Sequence, residues 1–130
     1  MINSDAFSYI NVLDKAADAS YKRETIIANN IANAATPTYK RKDLEFQELL
    51  EKELKATGYR DIDQAVKNVR LSSLNPDVYT DYPGFSYRID KNNVDIDTEN
   101  VELASEQLRY QTITTGINQE FQHFKTAIGS

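Results

Sequence analysis

The stretch Ile27-Ala28-Asn29-Asn30-Ile31-Ala32-Asn33-Ala34-Ala35-Thr36-Pro37-Thr38-Tyr39-Lys40 decides the fold, because a long helix has to end inside it. Pro37 has no amide hydrogen, and its ring pushes Thr36 toward an extended conformation, so a helix arriving from upstream stops before it. Upstream, no proline or glycine occurs back to Ser4 or Asp5, either of which is a good N-cap. Ile10, Leu13, Ala17, Ser20, Glu24, Ile27, Ile31 and Ala34 recur at alternating steps of three and four, the seam spacing of a coiled coil. Ser20 and Glu24 weaken the middle of that seam. A helix running to about Ala34 would be roughly 45 Å long, more than a small globular domain needs.

A second long helix is expected at the other end, from Asp97 or Thr98 to about Ile128, with Gly129 stopping it. Glu99 and Glu102 in its first turn suit the helix dipole. Tyr110, Ile113, Ile117, Phe121, Phe124 and Ile128 form an apolar stripe, which Leu103 and Ala104 extend upstream. Gly116 is a soft spot costing about 1 kcal/mol relative to alanine. Each terminal helix therefore has an apolar face that needs cover. The cover can be the other helix, in an antiparallel hairpin, or the helices of neighbouring subunits.

Between them the chain changes character. Asp43 to Lys55 reads as a short helix with Leu44, Phe46, Leu49, Leu50 and Leu54 on its apolar side, ended by Gly58. Tyrosine-rich pieces follow, punctuated by Pro76, Pro83 and Gly84, and Asp77 to Tyr82 could pair with Phe85 to Ile89 across the Pro83-Gly84 turn. The fold class is thus mainly α: long N- and C-terminal helices pairing as a coiled coil, a short middle helix, and an irregular or β-hairpin segment. The parts are 1–35, 36–97 and 98–130.

Bulk properties narrow the function. A net charge of −5 over 130 residues argues against nucleic acid, which needs a basic face. The charge is uneven: residues 1–42 carry six Lys/Arg against four Asp/Glu, and residues 90–130 carry three against seven, so the two ends can attract each other. Without cysteine there is no disulfide, thiolate metal site or cysteine nucleophile. No run approaches the roughly 20 apolar residues that span a bilayer, so direct membrane insertion is not expected. Asp5, Asp14, Lys15 and Asp18 interrupt any signal-peptide core.

The quoted stretch resembles the N-terminal signature of the flagellar rod and hook axial protein family, approximately N-[IL]-A-N-x-x-T-P-G-[YF]-[KR]. Asn30, Ile31, Ala32, Asn33, Thr36, Pro37, Tyr39 and Lys40 match it, and Thr38 stands where glycine is common. A second matching block runs Asn93-Val94-Asp95-Ile96-Asp97, then Glu99, Val101, Glu102, Leu103 and Ala104. Leu108, Arg109, Tyr110 and Gln111 continue it, and Phe124-Lys125-Thr126-Ala127-Ile128 closes it. Asn92 replaces the usual glycine before this block, and asparagine also visits the left-handed region. The resemblance is to the proximal-rod members in particular.

It implies a structural subunit that leaves through the flagellar type III export apparatus without signal cleavage and takes its place in the basal-body rod, outside the cytoplasmic membrane. Its terminal helices would assemble around a channel and transmit torque. The implied partners are copies of itself, neighbouring FlgC-like and FlgF-like rod proteins and a FliE-type adaptor. On this reading the asparagines and the Thr36-Pro37-x-Tyr39 turn form a rigid elbow, and Ile117, Phe121, Phe124 and Ile128 serve assembly.

No catalytic or cofactor constellation competes. Asp95, Asp97, Glu99 and Glu106 fall on EF-hand ligand spacings, but the sixth position is Asn100 instead of glycine and the segment runs into a helix, so capping is the better account. His123 is the only histidine, which makes a metal site improbable. Lys40-Arg41-Lys42, flanked by Asp43 and Glu45, reads as a solvated or inter-subunit salt-bridge face. The middle tyrosines suit either an interface or ordinary packing.

Overall fold

In the computed structural model the described residues are 2–81 and 92–129. The first helix, α1, spans Ile2–Ala32, and the last, α4, spans Ile96–Gly129. They pack along their length as an antiparallel pair. Phe7 meets Phe124 with ring centroids 4.8 Å apart, Gly116 lies against Leu13, and Tyr21 meets Tyr110 at 6.2 Å. The helices expected from the seam periodicity are therefore present, and within one chain each serves as the other's partner.

The expected Asp43–Lys55 helix is corrected in its first turn. Lys42–Asp43 is a short strand, β1, and α2 begins only at Gln47 and runs to Ala56. Asp43 is drawn out of helical geometry because its carboxylate is buried against arginines, and Leu44 is buried beside it. Gly58, at φ +80°, follows the C-cap Thr57 and takes the left-handed conformation that ends helices. A further helix that the residue pattern did not announce, α3, spans Ile62–Asn68; the Asp61 side chain caps it by accepting from the Asp63 amide. A 3₁₀ turn at Leu71–Ser73 leads toward β2, Tyr79–Thr80.

β2 pairs antiparallel with β1, Lys42 opposite Thr80 and Asp43 opposite Tyr79. The segment starting at Asp77 thus pairs with residues nearly forty positions upstream, and the proposed partner Phe85 to Ile89, with its Pro83-Gly84 turn, lies outside the described residues.

Seam residues Ile10, Ala17, Ile27 and Ala34 are buried, and a second apolar cluster lies off the seam. Val12, Val66, Val69 and Leu74 form a buried cluster, against which Tyr9, Phe46, Leu50, Leu54 and Leu71 pack. Val12 lies on the face of α1 turned toward the middle segment, so α1 is covered twice: by α4 along its seam face, and by α2 and α3 through Val12. The Tyr9 hydroxyl donates to Asp63 at 2.5 Å, and Lys15 Nζ to Asn75 Oδ1 at 3.3 Å, adding polar ties on that second face. The aspartate, with burial second, pushes the Tyr9 hydroxyl up to about 12.

Candidate functional site

Both matching blocks converge where α1 ends. The helix exit is held locally first. Asn33 Nδ2 donates to the Asn29 carbonyl at 2.8 Å, and Thr36 Oγ1 to Asn33 Oδ1 at 3.1 Å. Thr36-Pro37-Thr38-Tyr39 then forms a tight turn in which the Tyr39 amide donates to the Thr36 carbonyl at 3.3 Å. Thr38 has φ +62°, the only positive value on a non-glycine residue among those described. Proline second and a positive φ third is the signature of a type II turn, which favours glycine at the third position. Thr38 adopts the glycine conformation despite its branched side chain.

Asn92 closes the exit from a distance. Its Nδ2 donates to the carbonyls of Asn33 at 2.9 Å, Ala34 at 3.1 Å and Thr36 at 2.8 Å, and its Oδ1 accepts from the Val94 amide at 2.7 Å. These carbonyls lie just past the helix end; those of Asn33 and Thr36 also accept from the Thr36 and Tyr39 amides, so Asn92 adds a second donor to the turn. The side chain gives asparagine a role here that glycine could not fill, since all four bonds run through its amide group. Asn93 does similar work one residue on, accepting from the Arg41 amide and donating to the Asp81 carbonyl, each at 2.7 Å.

Asn30 is the hub. It is wholly buried, accepts from the Lys42 amide and the Tyr39 hydroxyl, and donates to the Lys42 carbonyl and to Glu99. All its hydrogen-bonding capacity is used, and it couples α1, the turn, β1 and α4. Burial and then Glu99 push the Tyr39 hydroxyl up from its ordinary value, Arg41 opposing.

Beside Asn30 lies a charge cluster. Arg23 Nε donates to Asp43 at 2.7 Å, its Nη1 to Glu106 at 2.8 Å and its Nη2 to Glu102 at 3.0 Å. Arg41 pairs with Glu99, with Asp43 at 3.2 Å and with Asp81 at 3.3 Å. Ser20 Oγ donates to Glu106 at 2.5 Å. Burial alone would push the Asp43 carboxyl up, but hydrogen bonds from Arg23, the Leu44 amide and Arg41 hold it below the usual range. Hydrogen bonding to Asp43 outweighs burial in holding the Arg23 guanidinium protonated; for Arg41, Glu99 and Asp43 together overcome a larger burial effect.

These residues were not all legible as a site. Glu106 and Glu99 sit on the same face as the Tyr110–Ile117 stripe, one and two heptads upstream of Ile113 respectively. They, and not Ala104, continue it toward the helix start: both are 1% exposed, whereas Ala104 is exposed and Leu103 half-buried. Arg41 turns inward, so the Lys40-Arg41-Lys42 run is no uniform solvated face; Lys40 is half-buried and Lys42 exposed. The heptad spacing of the two glutamates was the available signal. Asp95 caps α4 by accepting from the Asp97 amide at 3.1 Å, and Asp97 is exposed in the first turn. Glu99 and Glu106 of the EF-hand-like spacing are engaged by arginines, and no group of three or more His/Asp/Glu poised for a metal occurs among the described residues.

The remaining motif residues fall into two groups. Val94 is buried, and Ile31, Tyr110, Ile117 and Phe124 are half-buried. Ala32, Pro37, Leu108, Phe121 and Ile128 are exposed. On α4, Val101 and Leu108 are each 65% exposed and lie seven residues apart on its outer face. No helix among the described residues is long and apolar enough to cross a membrane.

A pair of terminal helices far longer than the small body they carry, locked by polar side chains and leaving apolar residues uncovered on both, defines a class: an elongated, mainly α structural subunit. The chain is 36% identical over 124 residues to the flagellar basal body rod protein FlgB of Bacillus subtilis, covering 92% of each chain. It is 35% identical over 111 residues to FlgB of Aquifex aeolicus, covering 83% of this chain and 82% of that one. With FlgB of Borreliella burgdorferi it shares 29% over 134 residues, or 90% and 96% of the two chains. No family model matches. The chain belongs to the FlgB family of flagellar basal body rod proteins.

Proposed function

We propose that this protein is a structural subunit of the rod of the flagellar basal body. The observation that carries this reading is the match along 92% of the chain to a FlgB rod protein, in a chain whose two motif blocks meet at one buried elbow. It is a component without catalytic activity, associating with other rod components through the outer faces of its terminal helices. Its neighbours are further copies of itself, FlgC-like and FlgF-like rod proteins and a FliE-type adaptor. The flagellar type III apparatus exports it, and the assembled rod carries torque toward the hook.

Within the chain, 1–35 and 98–130 act as the assembly helices and 36–97 as the connecting segment. Asn30, Asn33, Thr36, Tyr39 and Asn93 set the elbow, while Leu108, Phe121 and Ile128 are offered to neighbours because they are exposed. Deleting the gene in its motile host and imaging the basal bodies tests the reading. Membrane-embedded motor parts without rod or hook are expected; intact hooks and normal swimming would refute it. Complementation with Leu108→Glu, which leaves the elbow intact, is expected to fail in assembly while the purified variant stays folded.

A further inference from the structure

A cleft of about 410 Å³ opens where α1, the start of α2 and α4 meet. Ala16 and Ala19 lie on its α1 side, Leu44, Phe46 and Leu50 on the middle-segment side, and Ile113 on α4. The polar groups at its base are already engaged, because Ser20 and Arg23 both donate to Glu106. The lip is less committed. Glu45 is exposed, and Glu102 meets Arg23 through Oε2 alone. Arg109, with its side chain 44% exposed, reaches Glu106 at 3.7 Å. An apolar floor under a lip with two carboxylates suits a large side chain that has a cationic neighbour, and repels one flanked by acids.

The chain carries such a pair elsewhere on its surface. α2 gives way to the left-handed Gly58, and the turn beyond it presents Tyr59 and Arg60. Tyr59 is 50% exposed, and Arg60 is exposed with no hydrogen bond or ion pair among the described residues. A Cβ on Gly58 would meet nothing within 4 Å, so the turn stands clear of the body. Tyrosine and arginine are the residue types that most often dominate interface energies. Other exposed apolar side chains fit the lip less well. Ile62 and Ile96 each sit between two aspartates, and Tyr21 is spent on Tyr110. Val101 and Leu108 lie along a helix flank, not on a projecting turn. The turn and the cleft stand at opposite ends of α2, whose ten residues span roughly 15 Å, so no chain fills its own cleft with its own turn.

We propose that Tyr59 and Arg60 of one copy enter the cleft of the next. The tyrosine ring lies over the Ala16–Ala19 floor beside Arg109, whose flat guanidinium stacks on aromatic faces. The Arg60 guanidinium meets Glu45 and Glu102. A contact between two different surfaces of one chain is head-to-tail, and repeats into a ring or an open helical array. It gives the middle segment a part in joining copies, separate from the outer faces of the terminal helices. The choice of a second copy as occupant rests on the rod reading, in which subunits repeat.

Cross-linking on the purified chain tests it, since the chain has no cysteine of its own. An Ala56→Cys chain, labelled near the turn with Tyr59 and Arg60 kept, is mixed at millimolar concentration with a Gln47→Cys chain, labelled at the cleft, and treated with a short bismaleimide. Mixed dimers are expected in about fivefold excess over those that Ala56→Cys forms with Asp14→Cys, an exposed residue away from the cleft. Arg60→Glu in the first chain is expected to remove the excess, and Glu45→Arg in the second to bring it back; both exchanged residues are exposed. Equal yields from the two mixtures, or an excess indifferent to these charge exchanges, would overturn the proposal and leave the cleft to another partner. Such a result leaves the rod reading standing, whereas a chain absent from basal bodies would refute that reading without touching a contact seen on the purified protein.

Discussion

α1 and α4 are 31 and 34 residues long, antiparallel, and built from similar seams, yet they are anchored in different ways. α1 has a second apolar face, with Val12 set into the cluster of Val66, Val69 and Leu74. α4 has one face only, and its buried positions hold carboxylates. The same periodic spacing has yielded one helix fixed by dehydration and one placed by geometry. Arginine forks and a saturated asparagine accept few arrangements, so α4 is positioned accurately without being held strongly.

The largest effect expected is on the α1 side. Leu74, 1% exposed, is the most buried member of the cluster, and Leu74→Ala should cost about 3–4 kcal/mol, in the range for truncating a core leucine. Urea titration followed by circular dichroism should show the whole chain unfolding earlier. On the α4 side, Arg23→Ala leaves Glu106 buried without its guanidinium and should cost about 3 kcal/mol. That loss should appear as α4 helicity disappearing first, with the Val12 cluster intact. If Leu74→Ala and Arg23→Ala gave the same unfolding profile, the contrast between the helices would be wrong.

Phe124→Ala removes a half-buried ring packed at a tilt against Phe7 and should cost about 1–2 kcal/mol. A double-mutant cycle with Phe7→Ala isolates the ring pair at about 1 kcal/mol.

Acid sharpens the contrast. The folded-state value of Asp43 lies below its unfolded one, so its contribution is present above about pH 4 and is lost as pH falls through the lower native value. Helix content should therefore fall in acid, and Asp43→Asn should flatten that limb of the pH–stability curve. Tyr9 acts at the other extreme and on the other helix face. Raised to about 12, it contributes below about pH 10 and loses that contribution between about 10 and 12, a slope that Tyr9→Phe should remove. The smallest effect is at the elbow: Thr38→Gly relieves a left-handed threonine but loosens the unfolded chain, for a net gain of about 0.5 kcal/mol in a denaturant titration.

Local patterns made the terminal helices legible: the alternating three-and-four spacing from Ile10 to Ala34, the Pro37 stop, and the Tyr110–Phe124 stripe are short-range signals. The elbow was legible as a motif but not as a mechanism, because nothing near Asn30 says that its partners are Lys42 and Glu99. The charge cluster was missed for the same reason: Arg23, Asp43 and Glu106 lie far apart in sequence, and each looks like an ordinary surface residue on its own. Asp43 of β1 was read as helix because Leu44, Leu50 and Leu54 fit a helical face, while its pairing with Tyr79 is decided by contacts that no local window contains. α3 is only seven residues long, too short for periodicity to identify.

Asn92 carries a consequence for order in time. The carbonyls of Asn33, Ala34 and Thr36 gain a further donor from a side chain 56 to 59 positions later. A chain that emerges N-terminus first, from a ribosome or from a narrow conduit, thus presents the turn after α1 without its Asn92 clasp until nearly three-quarters of its length is out. The carboxylates of α4 arrive later still, and closing loops of that span is slow compared with forming a helix. The fold is finished by its last third.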